Sequence, residues 1–417
     1  MGVRSEMQTV TVDVEFHEAV GSGVLPKLPA EVYEDRFGRC RELMEERSLD
    51  VLVVYSAAMP FASCEWARYF ANYAHPYWNS ETFVVIPRES EPVFLINYGF
   101  MLDVARASSP IADVRAPLER FGKESRYAGL AEALRGILAE RGLIGSRVGV
   151  CRGGGQGDWS PAPLGAVLDE ALEGCSSEPA DDLLTELILV KTPFDLEQIR
   201  RVSEVCSDGL RAACDVLGEE VPEYEPYLAF QRAVIEAGAD APLFHYITGA
   251  GPSAHVALRP IAACGRRLQR GDLFMADVGI CLQGYYADMT RTAIIGEPSP
   301  AIQKLYDSTF EVVQEMVAEL RPGLRAGRIA DVLWEGIHKR GYSKSHVLIG
   351  HGIGTFINEP PFIMSWQDFV IREGMVINLE PAIYEDGVGG VRIEDPYLIT
   401  ETGAERLSTA DQALWAA

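Results

Sequence analysis

Residues 273–292 read LFMADVGICLQGYYADMTRT, which is the most informative segment of the sequence for the fold. Two apolar segments around a short turn predict a β-hairpin. With the centre of the hairpin placed between Leu282 and Gln283, we expect Asp277 and Asp288 to lie directly opposite each other on one face. Opposed residues have Cβ atoms about 5 Å apart, and like charges at that separation are destabilising unless something positive lies between them. The hairpin therefore points to a buried cation site.

A second pair of acids follows the same pattern near the C-terminus. The segments 375–381 (MVINLEP) and 390–395 (GVRIED) flank a glycine-containing loop. A hairpin centred on Gly387 places Glu380 opposite Glu394. The alternative is that all four acids face solvent from exposed strands, but their neighbours are apolar, and buried acids need a partner or a metal.

One histidine completes this candidate set. His351 leaves the apolar run 347–350 into a glycine-rich segment, which leaves room for close approach to its ring. For a lone histidine, a hydrogen-bonded structural imidazole is the simpler interpretation. Beside four carboxylates it becomes a ligand candidate, because such a hard, oxygen-rich set suits two divalent ions of the manganese, iron, cobalt or zinc kind.

Composition excludes several classes of partner. The chain of 417 residues carries 61 acidic and 37 basic residues, a net charge of −24. Such a surface repels phosphate backbones and anionic lipids, so we expect neither nucleic-acid nor membrane binding. The eight cysteines are scattered without a CxxC pair. Such cysteines are typical of a reduced protein. The sequence also has no targeting signal and no stretch of about 18 apolar residues, so we expect a soluble, cytoplasmic protein.

Periodicity predicts a two-domain α/β protein. Strands and helices alternate in the first part of the chain, which favours a partly parallel sheet, whereas the second part is richer in hairpins and has an α+β character. Thr192-Pro193-Phe194-Asp195 has the composition of a helix start. We place the domain boundary near residue 185, giving domains 1–185 and 186–417. The main predicted elements are helices at 31–48, 127–141, 299–320 and 326–340 and strands at 51–55, 82–87, 92–96 and 146–150.

Taken as a set, the motifs resemble the metallopeptidase family of pita-bread fold that includes Xaa-Pro dipeptidase (prolidase), aminopeptidase P, methionine aminopeptidase and creatinase. The resembling motifs are Asp277-x-Gly279, Gly284-Tyr285-x-x-Asp288-x-Thr290-Arg291-Thr292, Gly350-His351-Gly352-Ile353-Gly354, Gly374-Met375-x-x-x-Leu379-Glu380-Pro381 and Val391-Arg392-Ile393-Glu394-Asp395. Residues 31–185 are also similar, more weakly, to the N-terminal domain of the prolidase and creatinase branch. Methionine aminopeptidases generally lack that domain, which argues against that branch.

The resemblance implies a role for each of the five residues. Asp277 would bind one metal, His351 and Glu380 mainly the other, and Asp288 and Glu394 would bridge the two. A hydroxide held between the ions would be the nucleophile, and Glu380 would also carry its proton to the leaving nitrogen. The implied cofactor is a pair of divalent ions, manganese first, with iron, cobalt or zinc as alternatives.

The chain departs from the family pattern at its substrate residues. Asn358 stands where the peptidases usually have a second histidine that contacts the substrate carbonyl; an amide can donate a hydrogen bond but cannot carry a proton. For the histidine that usually precedes the first aspartate, His255 fits best and is also a catalytic candidate, with misspaced flanks and His245 as competitor. Arg392 could bind a substrate carboxylate, or it could compensate the charge of the acids.

The resemblance implies a homodimer in which the N-terminal domain lines the partner's pocket, so His75 and Trp78 are weaker candidates for specificity, with core aromatics as the alternative. The leading hypothesis is a dinuclear metallohydrolase that cleaves C–N bonds of small peptides, like prolidase or aminopeptidase P. A non-peptide amidohydrolase, similar to ectoine hydrolase or creatinase, is the second. A lyase of the dimethylsulfoniopropionate type and an inactive binding protein are more distant alternatives.

Overall fold

The structure is a computed structural model. It describes residues 27–57, 65–74, 81–117, 126–153, 163–240, 245–251, 265–346 and 348–417, without the side chains of 126–128 and 245–250.

The first part of the chain folds around one mixed sheet. Its strands are apolar runs that are buried almost throughout, as β1 and β2 show most clearly. The helices are α1 (Ala30–Glu46), α2 (Glu65–Ala71), α3 (Leu102–Ser108), α4 (Arg126–Glu140), α5 (Leu164–Ala171) and α6 (Asp181–Leu189). The strands are β1 (Val51–Ala57), β2 (Glu81–Pro87), β3 (Val93–Ile96), β4 (Asp113–Arg115), β5 (Arg147–Cys151) and β6 (Ser176–Pro179).

The order of these strands is β4-β3-β2-β1-β5-β6. β1 pairs antiparallel with β2 and parallel with β5, and β5 pairs parallel with β6. The prediction of a partly parallel α/β sheet is therefore confirmed. Hydrophobic side chains from β1 and β2 pack against α4 and α5 on one face of the sheet and against α1, α2 and α6 on the other.

The second part of the chain combines long helices with hairpins. Its helices are α7 (Pro193–Asp215), α8 (Tyr224–Glu236), α9 (Pro300–Glu319) and α10 (Ala326–Lys339). Its strands are β7 (His245–Ala250), β8 (Leu273–Leu282), β9 (Tyr285–Ile294), β10 (Gly350–Gly352), β11 (Val376–Leu379), β12 (Ala382–Glu385), β13 (Gly389–Arg392), β14 (Asp395–Ile399), β15 (Ala404–Arg406) and β16 (Trp415–Ala416).

These strands form separate small sheets against which the helices pack. One has the order β16-β9-β8-β7, another β10-β11-β14-β15, and β12 pairs with β13 alone. α7 starts at a capping box, in which Thr192 accepts from the backbone of Asp195 and Asp195 accepts from the backbone of Thr192, as its composition predicts. Together the elements give the α+β character expected for this part.

The register of the β8–β9 hairpin differs from the prediction. Leu282 pairs with Tyr285, so the turn consists of Gln283 and Gly284, whose φ angles of 52° and 83° are both positive. A two-residue turn with this backbone matches the twist of the strands. The centre of the hairpin therefore moves by one residue, and Asp277 lies opposite Thr290 while Asp288 lies opposite Gly279. The two aspartates are diagonal neighbours, not an opposed pair.

The second hairpin has the predicted centre but a shorter ladder than predicted. Ala382 pairs with Arg392, which places the centre on Gly387. The ladder ends there, so Glu380 and Glu394 lie just beyond it and are not paired strand residues. Glu394 instead forms an isolated antiparallel bridge with Thr290, which joins this hairpin to β9.

The two parts of the chain share apolar surface. One core cluster contains α2 residues such as Phe70 together with Ile280 of β8 and Cys206 of α7. Arg36 of α1 donates to the hydroxyl of Tyr285 at 2.7 Å, and that hydroxyl donates to Asp195 at 2.6 Å. The tip of the aspartate hairpin is thus held against the first domain.

Candidate metal centre

Four carboxylates meet on the inner face of the second part of the chain. Asp277 and Asp288 come from β8 and β9, and Glu380 and Glu394 flank the β12–β13 hairpin. Each residue is at most 5% exposed. Thr290, which lies opposite Asp277, is two residues from Asp288 on the same strand. Because alternate residues of a strand share a face, the two aspartates still lie on the same face of the hairpin. The structure thus brings all four acids to one buried place.

His351 lies among three of these acids. Its Nε2 is 3.9 Å from Asp288 Oδ2, 3.8 Å from Glu380 Oε1 and 4.0 Å from Glu394 Oε1. Asp288, His351 and Glu394 can each offer one ligand atom such that all three atoms lie within 4.8 Å of one another. The ring is 1% exposed and comes from β10, which pairs with β11.

Burial and mutual repulsion raise the pKa values of Asp288, Glu380 and Glu394. Burial raises the pKa of Asp288 well above its usual range, and the charges of Asp277 and Glu380 add to that shift. The pKa of Glu394 is raised in the same way, by burial and then by Asp288. Burial raises the pKa of Glu380 to about 8, against an opposing effect of Arg392. Each acid is therefore costly to ionise until a cation arrives.

Arg392 is the cation that compensates the acids. Its Nη1 lies 2.7 Å from Asp277 Oδ2 and 3.4 Å from Glu380 Oε2, and its Nη2 donates to the hydroxyl of Tyr384 at 3.2 Å. The guanidinium is 2% exposed. The structure thus shows Arg392 in the charge-compensating role that was one of its two predicted roles; binding of a substrate carboxylate stays a prediction.

Two polar residues that sequence reasoning missed orient Glu394. Asn378 Nδ2 donates to Glu394 Oε1 at 2.6 Å, and the hydroxyl of Thr290 donates to Glu394 Oε2. Both side chains are completely buried. The position of Thr290 two residues after Asp288 was a usable signal, because alternate residues of a strand share a face. Asn378 likewise stands two residues before Glu380.

A third missed feature fixes the backbone beside the acids. Arg291 Nη1 donates to the carbonyl oxygens of Thr290 and Glu394, each at 2.8 Å. Its Nη2 pairs with Asp395 at 2.6 Å and donates to Ala410 O at 3.0 Å. The chain near residue 410 therefore braces the bridge that joins the two hairpins.

His346, also missed, lies beside Glu380. Its Nδ1 is 3.7 Å from Glu380 Oε2 and 2.7 Å from Leu348 O. Burial lowers the pKa of this imidazole, and the positive charge of Arg392 lowers it further. Its side chain is 29% exposed, which makes it the more accessible histidine of the centre's described residues.

The donor set fits divalent cations. Within the described part of the chain, the guanidinium of Arg392 faces four buried carboxylates, so the centre has fewer positive than potential negative charges. Carboxylate oxygens with one imidazole are ligands that manganese, iron, cobalt and zinc accept. The raised pKa values of Asp288, Glu380 and Glu394 have the same origin and would fall when cations bind.

The structure describes only some of the predicted substrate residues. Asn358 is half-buried at the end of the segment that follows β10. His255, His75 and Trp78 lie outside the described residues. His245 begins β7 and its backbone pairs with Gly279, but its side chain is also outside the description.

Comparison with known proteins agrees with this architecture. The model of metallopeptidase family M24 matches residues 197–401, and that of the creatinase/prolidase N-terminal domain matches residues 36–187. The Xaa-Pro dipeptidase of Pyrococcus furiosus is 34% identical over 235 residues, which are 56% of this chain and 67% of that protein. The Xaa-Pro dipeptidase of Pyrococcus horikoshii is 26% identical over 388 residues, 92% of this chain and 99% of that one.

Solved structures share the fold across both domains. The X-Pro aminopeptidase of Thermotoga maritima superposes with a TM-score of 0.78 at 20% identity, covering 91% of this chain and 99% of that one. The prolidase of Pyrococcus horikoshii gives a TM-score of 0.74 at 23% identity, with the same coverage. The predicted two-domain fold with a pita-bread catalytic part is therefore confirmed. Among the described residues, no helix combines the length and apolarity that crossing a bilayer requires.

Proposed function

We propose that this chain, which belongs to metallopeptidase family M24, hydrolyses the peptide bond before proline in small Xaa-Pro peptides. The chain is a metal-dependent peptide hydrolase. The observation that carries the proposal is the buried centre of four carboxylates and His351, in a chain that is similar to the Xaa-Pro dipeptidases of two Pyrococcus species.

The five predicted residues would hold two divalent ions, manganese first. Asp277 would hold one ion, His351 and Glu380 mainly the other, and Asp288 and Glu394 would contribute to holding both. When bound, the ions would supply a water nucleophile of lowered pKa and polarise the scissile carbonyl. The burial of four acids around the single guanidinium of Arg392 supports this assignment, because buried charges need compensation by a charge of opposite sign or by a metal.

The chain's own residues would orient the substrate and move the proton. Glu380, whose carboxyl would be ionised once cations bind, is proposed to take a proton from water and return it to the leaving nitrogen. Arg392 contacts both Asp277 and Glu380 and keeps these side chains in place, and the hydroxyl of Tyr384 accepts a hydrogen bond from the Arg392 guanidinium. Asn358 would donate a hydrogen bond to the substrate carbonyl, and His255 is proposed as a second substrate contact.

A second substrate class follows from Asn358. The amide at this position can hold a carbonyl but cannot transfer a proton at neutral pH. Either the assistance at this position is purely hydrogen-bonding, or the substrate is not a peptide. We therefore keep a small-molecule amidohydrolase as the alternative.

A substrate panel separates the two classes. Metal-free protein is loaded with Mn²⁺ or Co²⁺ and given Xaa-Pro dipeptides, Xaa-Pro tripeptides, the matching Xaa-Ala peptides, N-acyl amino acids and cyclic amidines. We expect cleavage of the Xaa-Pro peptides and much slower cleavage of the Xaa-Ala controls. Inert peptides together with turnover of a small amide would replace the peptidase proposal with the alternative.

Three further assignments stay predictions. These are the domain boundary near residue 185, a homodimer, and a cytoplasmic location. The described cysteines are all free, as a reducing compartment would require. Sedimentation analysis tests the dimer, and limited proteolysis tests the boundary.

A further inference from the structure

A buried ion pair outside the metal centre has no role in the chemistry described above. The ammonium of Lys191 contacts Glu359 Oε1 and donates to Ile188 O at 2.5 Å. The two side chains are 5% and 0% exposed. Burial raises the pKa of Glu359, and the charge of Lys191 opposes that shift. Because burying two charges costs free energy, we asked which structural role this enclosed ion pair has.

Glu359 connects the ion pair to His351 and to Asn358 through the backbone. Glu359 forms an isolated antiparallel bridge with Gly352, and its N–H donates to Gly352 O at 2.9 Å. Gly352 follows His351, and Asn358 precedes Glu359. Whatever fixes the Gly352–Glu359 bridge therefore fixes a metal ligand on one side and a proposed substrate contact on the other.

The glycines of this segment are required by close packing around the pair. A Cβ atom on Gly354 would lie 3.0 Å from Lys191 Cε and 3.2 Å from Glu359 Oε1. A Cβ atom on Gly352 would lie 2.3 Å from Pro360 O. The lysine side chain thus occupies the space that Gly354 leaves free, while the backbone of Pro360 occupies the space that Gly352 leaves free.

The other side of the segment is held by the aspartate hairpin. Tyr286 N donates to Gly354 O at 2.8 Å, and Tyr286 stands two residues before Asp288 on β9. The segment therefore lies between β9 on one side and Lys191 on the other. Lys191 itself is anchored at the junction of α6 and α7, where its N–H donates to Gly374 O at 2.9 Å.

We propose that Lys191 and Glu359 act as one positioning unit, which sets the place of His351 and Asn358 and is thereby required for turnover. This rests on the proposed function for its kinetic consequence, although the position of His351 can be read without any substrate. The domain junction carries the cation, so the arrangement of the two domains and the geometry of the centre are linked through this pair.

A double-mutant cycle tests the unit. Glu359→Gln, Lys191→Met and the double variant are made in the full chain, and each is loaded with Co²⁺. The visible absorption of bound Co²⁺ reports the coordination around His351 whether or not a substrate is known. We expect an altered spectrum in all three variants. With an Xaa-Pro peptide, kcat falls about 10- to 100-fold, while KM changes by less than about threefold.

The cycle distinguishes a unit from two independent residues. For a unit, the double variant loses no more kcat than either single variant, whereas independent effects multiply. The exposed pair Arg200 and Glu405 provides the control, because Arg200→Met and Glu405→Gln remove the same charges at the surface of α7 and β15 and should alter neither reading.

Two results would overturn the proposal: Co²⁺ spectra identical to that of the unaltered protein, or losses of kcat that multiply. If Glu359→Gln does not fold, the double variant, which buries no charge, is compared with the unaltered protein by its spectrum alone, and an unchanged spectrum again overturns the proposal. An unaltered protein that cleaves no Xaa-Pro peptide would overturn the proposed function, while the spectra would still decide on the positioning unit.

Discussion

Arg392 Nη1 lies 2.7 Å from Asp277 Oδ2 inside a cluster of four buried acids, so the guanidinium supplies positive charge to the metal-free centre. It also lies 3.4 Å from Glu380 Oε2. The arginine and incoming divalent ions therefore serve the same electrostatic purpose, and the stability of the centre should depend on which of them is present.

Replacing this arginine should destabilise the metal-free protein more than the metal-loaded protein. Arg392→Met leaves buried carboxylates uncompensated, which costs about 3–5 kcal/mol in comparable cases. Denaturant unfolding with chelator and with saturating Mn²⁺ measures both states. Arg200→Met, which breaks an exposed pair with Glu405, should change either value by no more than about 1 kcal/mol. Equal losses with and without metal would contradict the compensating role of Arg392.

The metal-free protein should lose stability as pH rises. Glu380 has a pKa of about 8 in the folded protein against a usual value of 4.5, so the folded state keeps a proton that the unfolded chain has released. Between these values, raising the pH lowers the free energy of unfolding. Asp288 and Glu394, whose pKa values are also raised, act in the same direction.

Thermal unfolding between about pH 5 and about pH 8 measures this effect. Glu380→Gln is the control, because it removes one titrating group and should flatten the dependence. Metal binding should release protons across the same window, so metal affinity should increase with pH. A melting temperature of the metal-free protein that rises from pH 5 to 8 would count against the raised pKa values.

The hydroxyl of Thr290 should matter for metal binding and not only for folding. It donates to Glu394 Oε2, and loss of such an orienting partner typically costs 10- to 100-fold in metal affinity. We expect Thr290→Val to weaken Co²⁺ binding by about that factor. Thr309→Val is the matched control, since Thr309 is equally buried but donates to Leu305 O within a helix. Equal Co²⁺ affinity in both variants would show that Thr290 does not contribute to metal binding.

The turn of the aspartate hairpin should be sensitive at its second residue. Gly284 has a φ of 83°, and a Cβ atom there would lie 3.0 Å from Arg68 Nε. Gly284→Ala should therefore cost about 1–3 kcal/mol in unfolding experiments. Gln283→Asn, at the neighbouring residue with a φ of 52°, should be neutral or stabilising because asparagine tolerates this backbone better. A greater loss of stability in Gln283→Asn than in Gly284→Ala would contradict the observed register.

Much of the fold was predictable from sequence because its signals are local. Apolar runs gave the strands of the first domain, and Thr192 with Asp195 gave the start of α7. The acids and His351 could be grouped because each stands in an apolar strand or beside glycines, where an unpaired charge is conspicuous. The family resemblance then implied a role for each of these residues.

What could not be predicted depends on contacts between distant segments. The hairpin register is set by positive φ angles at Gln283 and Gly284, and glutamine is not a typical signal for such a turn. Nothing near Lys191 indicates that its partner stands 168 residues later. The compensating role of Arg392 likewise requires knowing that Asp277, 115 residues away, reaches its guanidinium.

Calorimetric titration of metal-free protein with Mn²⁺ measures how many ions the four acids and His351 hold. We expect two ions per chain, with protons released on binding, and fewer or more weakly bound ions in Asp277→Asn. Protein that binds no Mn²⁺, Co²⁺ or Zn²⁺ under these conditions, or Asp277→Asn protein that binds them unchanged, would contradict a dinuclear centre built from these residues.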